Sequence, residues 1–306
     1  VSAAPEWLAA LCAAPGSAFE LPPGESERFA RLCAEGWPLE LTAGRVRFKS
    51  GSEPLDRIRL AAALAPSRVA VEVHAILDST QDEARRRLAA GRQPPFLVLA
   101  EWQSHGRGRL GRRWCAPPMA AILATLVLPF ARPLPSLAGL SPALGVALAE
   151  ALARGGVPEI GLKWPNDLLR AGRKLGGLLV EALGAPGGAA TVLIGFGLNA
   201  SPAAASQAPV PAASLAAEGE VAADRNLWIP RLVRALLAAL EAFGRAGFAP
   251  FAERYAGFDA LRGHPVEAAS GGRPLRGIAI GLREDGSLLL RCGHEVVAVA
   301  TGEVSA

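Results

Sequence analysis

Residues Glu101 to Trp114 read EWQSHGRGRLGRRW, with three glycines and four arginines between Gly106 and Arg113. The stretch follows an apolar run, Phe96 to Ala100, that reads as a buried strand. Glycine lets a backbone turn tightly and bring its N–H groups against a ligand. Arginine supplies planar, permanently charged donors suited to phosphate and carboxylate. The stretch therefore reads as a loop that closes over an anionic ligand, with a nucleotide phosphate as the first expectation. Gly106, Gly108 and Gly111 also fit the G-x-G-x-x-G spacing. That dinucleotide fingerprint needs a helix directly after the glycines and an acidic residue about 20 residues on. Here Trp114 and Pro117-Pro118 follow, then the strand-like run Ile122 to Leu128, and the next carboxylate after Glu101 is Glu150. The fingerprint fails on its context. A solvated basic turn is the plainer alternative, and it leaves Gln103 and Trp114 on the flanks without a purpose.

The chain has 306 residues, half of them hydrophobic, which suits two domains or one large domain with appendages. A net charge of +4 does not argue for nucleic acid by itself, and the basic residues are not gathered into one block. Cys12, Cys33, Cys115 and Cys292 are far apart and form no C-x-x-C, which fits a reducing cytosol and offers no zinc site. No apolar run reaches the length of a membrane span, and no signal peptide is visible. The expected location is cytoplasmic. Lysine is rare: Lys49, Lys163 and Lys174 are the only three. Two of them fall close to Asn166, in a chain that otherwise uses arginine. Lysine differs in being a compact point charge with movable donors.

Taken in order, Pro5 to Ala14 and Glu25 to Glu35 read as helices, and residues 39–49 alternate around Ala43-Gly44 as a hairpin does. This resembles a winged helix with a piece missing. Only one helix fits between Pro15 and Trp37, whereas a DNA reader needs two joined by a tight turn. Leu55 to Leu64 reads as a linking helix. Val69 to Leu77 alternates as a strand and ends in Asp78-Ser79-Thr80-Gln81, with Ser79 or Thr80 a sensible cap for a helix over 82–90. His74 lies inside that strand and reads as a structural residue. A helix over 142–153 leads to a strand at Gly161 to Trp164, a turn at Pro165-Asn166-Asp167, and a hairpin whose second arm begins at Lys174. Its paired glycines, Gly176 and Gly177, permit close approach of a ligand. Val192 to Leu198 is a strand ending at Asn199, Ser201 to Pro211 a loop, and 227–243 and 248–255 are helices. From Leu261 onward short strands punctuated by glycine read as a small antiparallel barrel.

The chain resembles bacterial biotin–protein ligases along most of its length. The resemblance rests on motifs in family order: Asp78-Ser79-Thr80 with Gln81; Gln103-Ser104-His105 leading GRGRLGRRW; KWPND at 163–167; RKLGGLLVE at 173–181; GFGLN at 195–199; and TGEVS at 301–305. It implies an α+β fold, with a mixed-sheet catalytic domain of the biotin/lipoate protein ligase type. It also implies a degenerate winged-helix-like region over 1–65, a biotin- and ATP-binding domain over 66–258, and an SH3-like C-terminal domain over 259–306. It implies two half-reactions: biotin and ATP give biotinyl-5′-AMP and pyrophosphate, and the acyl group then passes to a lysine of a biotin carboxyl carrier domain, usually of acetyl-CoA carboxylase. Nucleic acid and membrane are not expected partners.

Under the resemblance Lys163, Lys174 and Arg109 are the catalytic candidates. Ser79, Thr80, Gln81, Gln103, Gly106, Arg107, Gly108, Lys174, Gly176 and Gly177 would hold biotin. Arg107, Arg109, Arg112, Trp114, Asn166 and Asn199 would hold ATP and the adenylate, with Trp114 as a stacking face for adenine. Mg²⁺ would balance the ATP phosphates, with no certain protein ligand. Two residues depart from the family pattern. Gln81 stands where asparagine is usual, and Leu123 where an aromatic is usual. The rivals are a lipoate or octanoate ligase, a biotin-sensing repressor, and a catalytically dead adenylate-binding protein. A lipoate or octanoate ligase would be expected to have an apolar slot for a fatty chain, and does not usually carry the arginine loop or the small barrel.

Overall fold

The computed structural model describes residues 4–14, 16–133, 137–184, 188–216, 223–270 and 273–305. They fall into two compact units, Val1–Leu128 with Leu193–Pro230, and Pro129–Val192 with Arg231–Ala306.

The first unit begins with helix α1 (Glu6–Ala13), strand β1 (Phe19–Glu20), helix α2 (Ser26–Ala34) and the hairpin β2 (Leu39–Thr42) and β3 (Arg45–Phe48). The strands form a small antiparallel sheet in the order β1-β3-β2. Trp7, Leu8, Leu11, Leu32, Trp37, Leu39 and Val46 make its core, joined by Ala75 and Met119 from the elements that follow. Only α2 lies between Pro15 and Trp37 among the described residues, as the sequence leads one to expect. The dipeptide strand β1 is too short to leave a pattern.

Helix α3 (Arg57–Leu64), capped by the Asp56 carboxylate, leads into strand β4 (Ala70–Leu77), helix α4 (Thr80–Ala89) and strand β5 (Phe96–Gln103). Strands β4 and β5 run parallel, and β8 (Ala121–Phe130) lies antiparallel to β5. Within this unit the sheet order is β4-β5-β8-β12, the last strand being Ala190–Asn199. β5 is buried on both faces from Phe96 to Glu101, which explains its unbroken apolar run. Glu101 is the exception. Its buried carboxylate accepts from the Leu55 N–H and pairs with Arg225 at 2.6 Å. A short helix, α6 (Pro202–Ser206), interrupts the expected loop after Asn199. Three alanines and a proline at its first turn suffice for a single turn.

The second unit contains helix α5 (Leu140–Arg154) and the antiparallel strands β9 (Ile160–Lys163), β10 (Asp167–Arg170) and β11 (Arg173–Gly184), in the order β11-β10-β9. It also holds most of α7 (Arg225–Ala246), then α8 (Ala249–Ala256). The chain closes with β13 (Pro265–Ser270), β14 (Arg273–Leu282), β15 (Leu288–Cys292), β16 (Glu295–Val299) and β17 (Val304–Ser305). These five pair antiparallel in the order β16-β15-β14-β13-β17, the SH3-like module. Its core is Val266, Ala268, Ala279, Leu288, Leu290 and Val299, and it takes in Trp164 from the β9–β10 turn. No helix among the described residues is long and apolar enough to cross a membrane.

Candidate active site

In the first unit the candidate residues gather at the turn from β4 to α4 and at the end of β5. Ser79 is the cap of α4; its extended backbone turns the hydroxyl onto the Gln81 N–H. The Thr80 N–H donates to Gln103 Oε1 at 2.7 Å, which ties the end of β5 to the start of α4. Ser79, Thr80 and Gln81 are all buried. Gln81 turns its amide inward. Thr125 Oγ1 lies 3.0 Å from Gln81 Oε1, and Gln81 Nε2 donates to the Leu193 carbonyl. The longer side chain that departs from the family pattern is thus engaged with the protein core. Just upstream, Arg86 forks onto both oxygens of Asp78, and that hydrogen bonding holds the Asp78 carboxyl down at about 2.

The glycine–arginine stretch forms a small hairpin. Gly106 and Arg107 (β6) pair with Trp114 and Arg113 (β7), and the Gly108 N–H donates to the Arg112 carbonyl. No helix follows the glycines, so the dinucleotide fingerprint is excluded by structure as well as by sequence. Gly106 must be glycine. A Cβ there would stand 2.4 Å from the Trp114 carbonyl oxygen and 2.7 Å from Gln103 Nε2. At the tip Leu110 adopts a left-handed backbone, φ 53°, with its side chain exposed. Such a conformation costs a non-glycine residue about 1–2 kcal/mol. Arg107 pairs with Asp82 of α4 at 2.6 Å. Arg109 is half-buried and Arg112 exposed.

Trp114 packs beside Leu123 and Ala116, and its indole lies against Gly197 of the GFGLN motif. A Cβ on Gly197 would fall 2.8 to 3.1 Å from three ring carbons, so this glycine is where the indole rests. The indole N–H is buried and has no hydrogen-bond partner among the described residues. Leu123 fills the wall beside the indole at the position where an aromatic was expected. Asn199 donates its amide to the Ala213 carbonyl at 2.9 Å and is buried.

In the second unit the candidates sit on the β9–β10–β11 hairpins. Lys163 and Gly177 both stand directly across from Asp167. Lys174 Nζ lies 2.8 Å from Asp167 Oδ1. Lys163 makes no side-chain hydrogen bond or ion pair among the described residues. Two half-buried lysines and one aspartate thus share these hairpins, and only Lys174 is paired with the carboxylate. Asn166 is bound twice to Leu178, through its side-chain amide and its carbonyl. Gly176 is buried opposite Leu168. The turn is moored by Trp164, whose indole N–H donates to the Gly286 carbonyl at 3.0 Å.

Sequence reading missed three of these contributors. Asp167 stood inside a quoted motif without a role. Thr125 is a hydroxyl in an otherwise apolar strand, which is a usable signal. Arg225 has no local pattern at all, because its partner Glu101 is 124 residues away.

Residues 73–199 match the model of the biotin/lipoate A/B protein ligase family, and residues 263–306 that of the biotin protein ligase C-terminal domain. The biotin--[acetyl-CoA-carboxylase] ligase of Paracoccus denitrificans is 34% identical over 231 residues, 73% of this chain and 95% of that protein. The protein named bifunctional ligase/repressor BirA from Escherichia coli K12 is 33% identical over 236 residues, 77% of this chain and 73% of that protein. Among solved structures, the biotin protein ligase from Aquifex aeolicus in complex with biotin and ATP is similar in fold, with a TM-score of 0.65 at 24% identity, covering 77% of this chain and 97% of that one. The chain belongs to the biotin protein ligase family.

Proposed function

We propose that this ligase joins biotin to a lysine of a biotin carboxyl carrier domain in two steps. A carboxylate oxygen of biotin attacks the α-phosphorus of ATP; the acyl–O–P bond forms and the bond to pyrophosphate breaks. The carrier's lysine amine then attacks the acyl carbon, and AMP leaves. The observation that carries the choice of biotin is the chemistry at the β4–α4 turn. A fatty or lipoyl chain asks for an apolar slot. Here stand Ser79, Thr80, Gln81, Gln103 and Thr125, joined by hydrogen bonds. A cyclic urea, with one acceptor and two N–H donors, is what such a set can recognise.

The first step brings two anions together, so fixed positive charge is the main requirement. Lys163, with no competing ion pair among the described residues, neutralises the phosphate oxygens as they react. Lys174 holds the carboxyl end of biotin and exchanges its Asp167 contact for it. Arg107, Arg109 and Arg112 close over the adenylate phosphate and keep water from the mixed anhydride. Gly106 and Gly108 let that hairpin's backbone lie close to biotin, as Gly176 and Gly177 do from β11. Trp114 offers adenine a face. Asn166 and Asn199 set the loops beside the nucleotide. Magnesium enters on the phosphates of ATP as part of the substrate. Among the described residues no three His, Cys, Asp or Glu side chains are grouped to hold an ion.

Residues 1–65 are an accessory region and 66–258 perform both half-reactions. The arginines of α2 stand beside glutamates, Arg28 3.8 Å from Glu25 and Arg31 4.0 Å from Glu35, which lowers the net positive charge a DNA phosphate would meet. This supports a ligase without a nucleic-acid partner, and the proposed reading takes the cytoplasm, where carrier and ATP are found, as its place of action. The test is pyrophosphate release from ATP with biotin, lipoate or octanoate supplied separately, followed by transfer to a carrier domain. Release with biotin alone is expected. Release only with lipoate or octanoate would reassign the substrate.

A further inference from the structure

We propose that Thr125 is a positioning residue: it sets the direction of the hydrogen bonds at the biotin site and makes the Thr80 hydroxyl a pure acceptor for a ureido N–H. The inference rests on the reading that the β4–α4 turn receives biotin.

Thr125 sits in β8 with none of its surface exposed. Its Oγ1 lies 3.0 Å from Thr80 Oγ1 and 3.0 Å from Gln81 Oε1. The orientation of the Gln81 amide is read from its other end, where Nε2 lies 3.5 Å from the Leu193 main-chain carbonyl, a group that can only accept. Nitrogen therefore faces Leu193 and oxygen faces Thr125. A hydroxyl has one proton, and an amide oxygen has none to give. Thr125 donates to Gln81, so the proton between the two threonines must come from Thr80. With that proton spent inward, Thr80 Oγ1 has only lone pairs left to offer a ligand.

The neighbours are polarised in the opposite sense. Gln103 Oε1 is occupied by the Thr80 N–H, which leaves the Nε2 protons to donate. Ser79 Oγ already accepts from the Gln81 N–H, which leaves its own proton to donate. One acceptor beside two donors complements the N–H and C=O of a cyclic urea. A buried residue that touches no ligand thereby decides which way round the site reads. This also gives the glutamine at position 81 a purpose: it reaches Thr125 and Leu193 together.

The test uses the full chain and initial rates of pyrophosphate release. Thr125→Val keeps the shape and removes the hydroxyl. Thr80 is then free to rotate its proton toward the ligand. The KM for biotin should rise about tenfold, the scale of one mis-set hydrogen bond to a buried polar group. The KM for ATP should stay within about twofold, since the nucleotide is bound elsewhere. Thr125→Ser keeps the hydroxyl and should restore the biotin KM. If the second methyl of valine disturbs packing, seen as a lowered melting temperature, Thr125→Ala gives the same comparison without it. Biotin KM unchanged in either hydroxyl-free variant, or raised equally with that for ATP, overturns the proposal while the ligase reading stands. A wild-type chain that releases no pyrophosphate with biotin overturns both.

Discussion

The candidate residues of the two units are built on opposite principles. In the first unit the β4–α4 turn is a wall of neutral groups, with its arginines out on an exposed hairpin whose tip holds a left-handed leucine. In the second unit the charge is on the scaffold itself: Lys163, Asp167 and Lys174 stand on paired strands, beside a tryptophan sunk in the SH3-like core. Neutral hydrogen bonds choose a ligand by shape and polarity. Charges on a rigid frame stabilise a transition state without reorganising. On the proposed function, recognition falls to the residues of the first unit and rate to those of the second, and each prediction strains one side of that division.

The largest effect should come from cutting the mooring of the second half. Trp164→Ala removes a fully packed indole from the C-terminal core, and such truncations cost about 3–5 kcal/mol. Melting and activity should fall together. Trp164→Phe retains most of the volume but loses the bond to Gly286, and should cost only about 1 kcal/mol. A Trp164→Ala protein that melts like the wild type would show that the lysine hairpin is held by something other than the barrel.

Next is a direct contest between the two kinds of cation. Lys174→Ala should lower kcat by about 10²–10³, the cost of removing one preorganised electrostatic group, and raise the biotin KM as well, with a small change in the KM for ATP. Lys174→Arg should not rescue it, because a planar fork cannot replace a point charge opposite Asp167. Arg109→Ala should act mainly on the KM for ATP, by about tenfold, since an exposed hairpin gains its contacts on closing. Both proteins should melt as the wild type does. If Arg109→Ala instead lost kcat alone, the arginine hairpin would share in the chemistry and the division of labour would fail.

How much of this could be read from the chain alone depends on distance along it. β5 announced itself because a strand buried on both faces is apolar at every position, and the hairpin at 170–173 because its turn is local. The β4–α4 cap was legible to within one residue, Ser79 or Thr80, for the same reason, and the structure places it at Ser79. Thr125 was not: in an apolar strand threonine reads as an ordinary β-former, and its partners lie 45 and 44 residues away. Trp164 stood in a recognised motif, yet its place in the C-terminal core depends on Gly286, 122 residues on. Motifs reveal which residues matter, and only packing reveals what each one leans on.

A smaller effect should follow from Gly197→Ala. The added methyl would meet the Trp114 ring at 2.8 Å, and a flat indole can yield only by tilting. The KM for ATP should rise a few-fold, about the worth of one stacking contact, with the biotin KM unchanged. Measuring both constants on one protein separates the adenine face from the urea wall. Equal rises would mean that Trp114 serves the whole site and not the nucleotide.

The smallest effect probes whether charge matters at all to the first half. Asp78 precedes the Ser79 cap and is held at about 2 by the Arg86 fork, below its ordinary 3.8. A depressed carboxylate stabilises the fold fully above about pH 4, and the gain is lost as pH falls through about 2. Its side chain is 36% exposed, so solvent screens the pair and its worth at neutral pH should be below about 1 kcal/mol. Asp78→Asn should therefore melt slightly below the wild type at pH 7, and the gap should close on acidification toward pH 2. The biotin KM should stay within about twofold, because the asparagine oxygen can still accept the Ser79 N–H that Asp78 now holds. A large rise in biotin KM at neutral pH would mean that the fork's charge, and not the neutral network behind it, sets the wall.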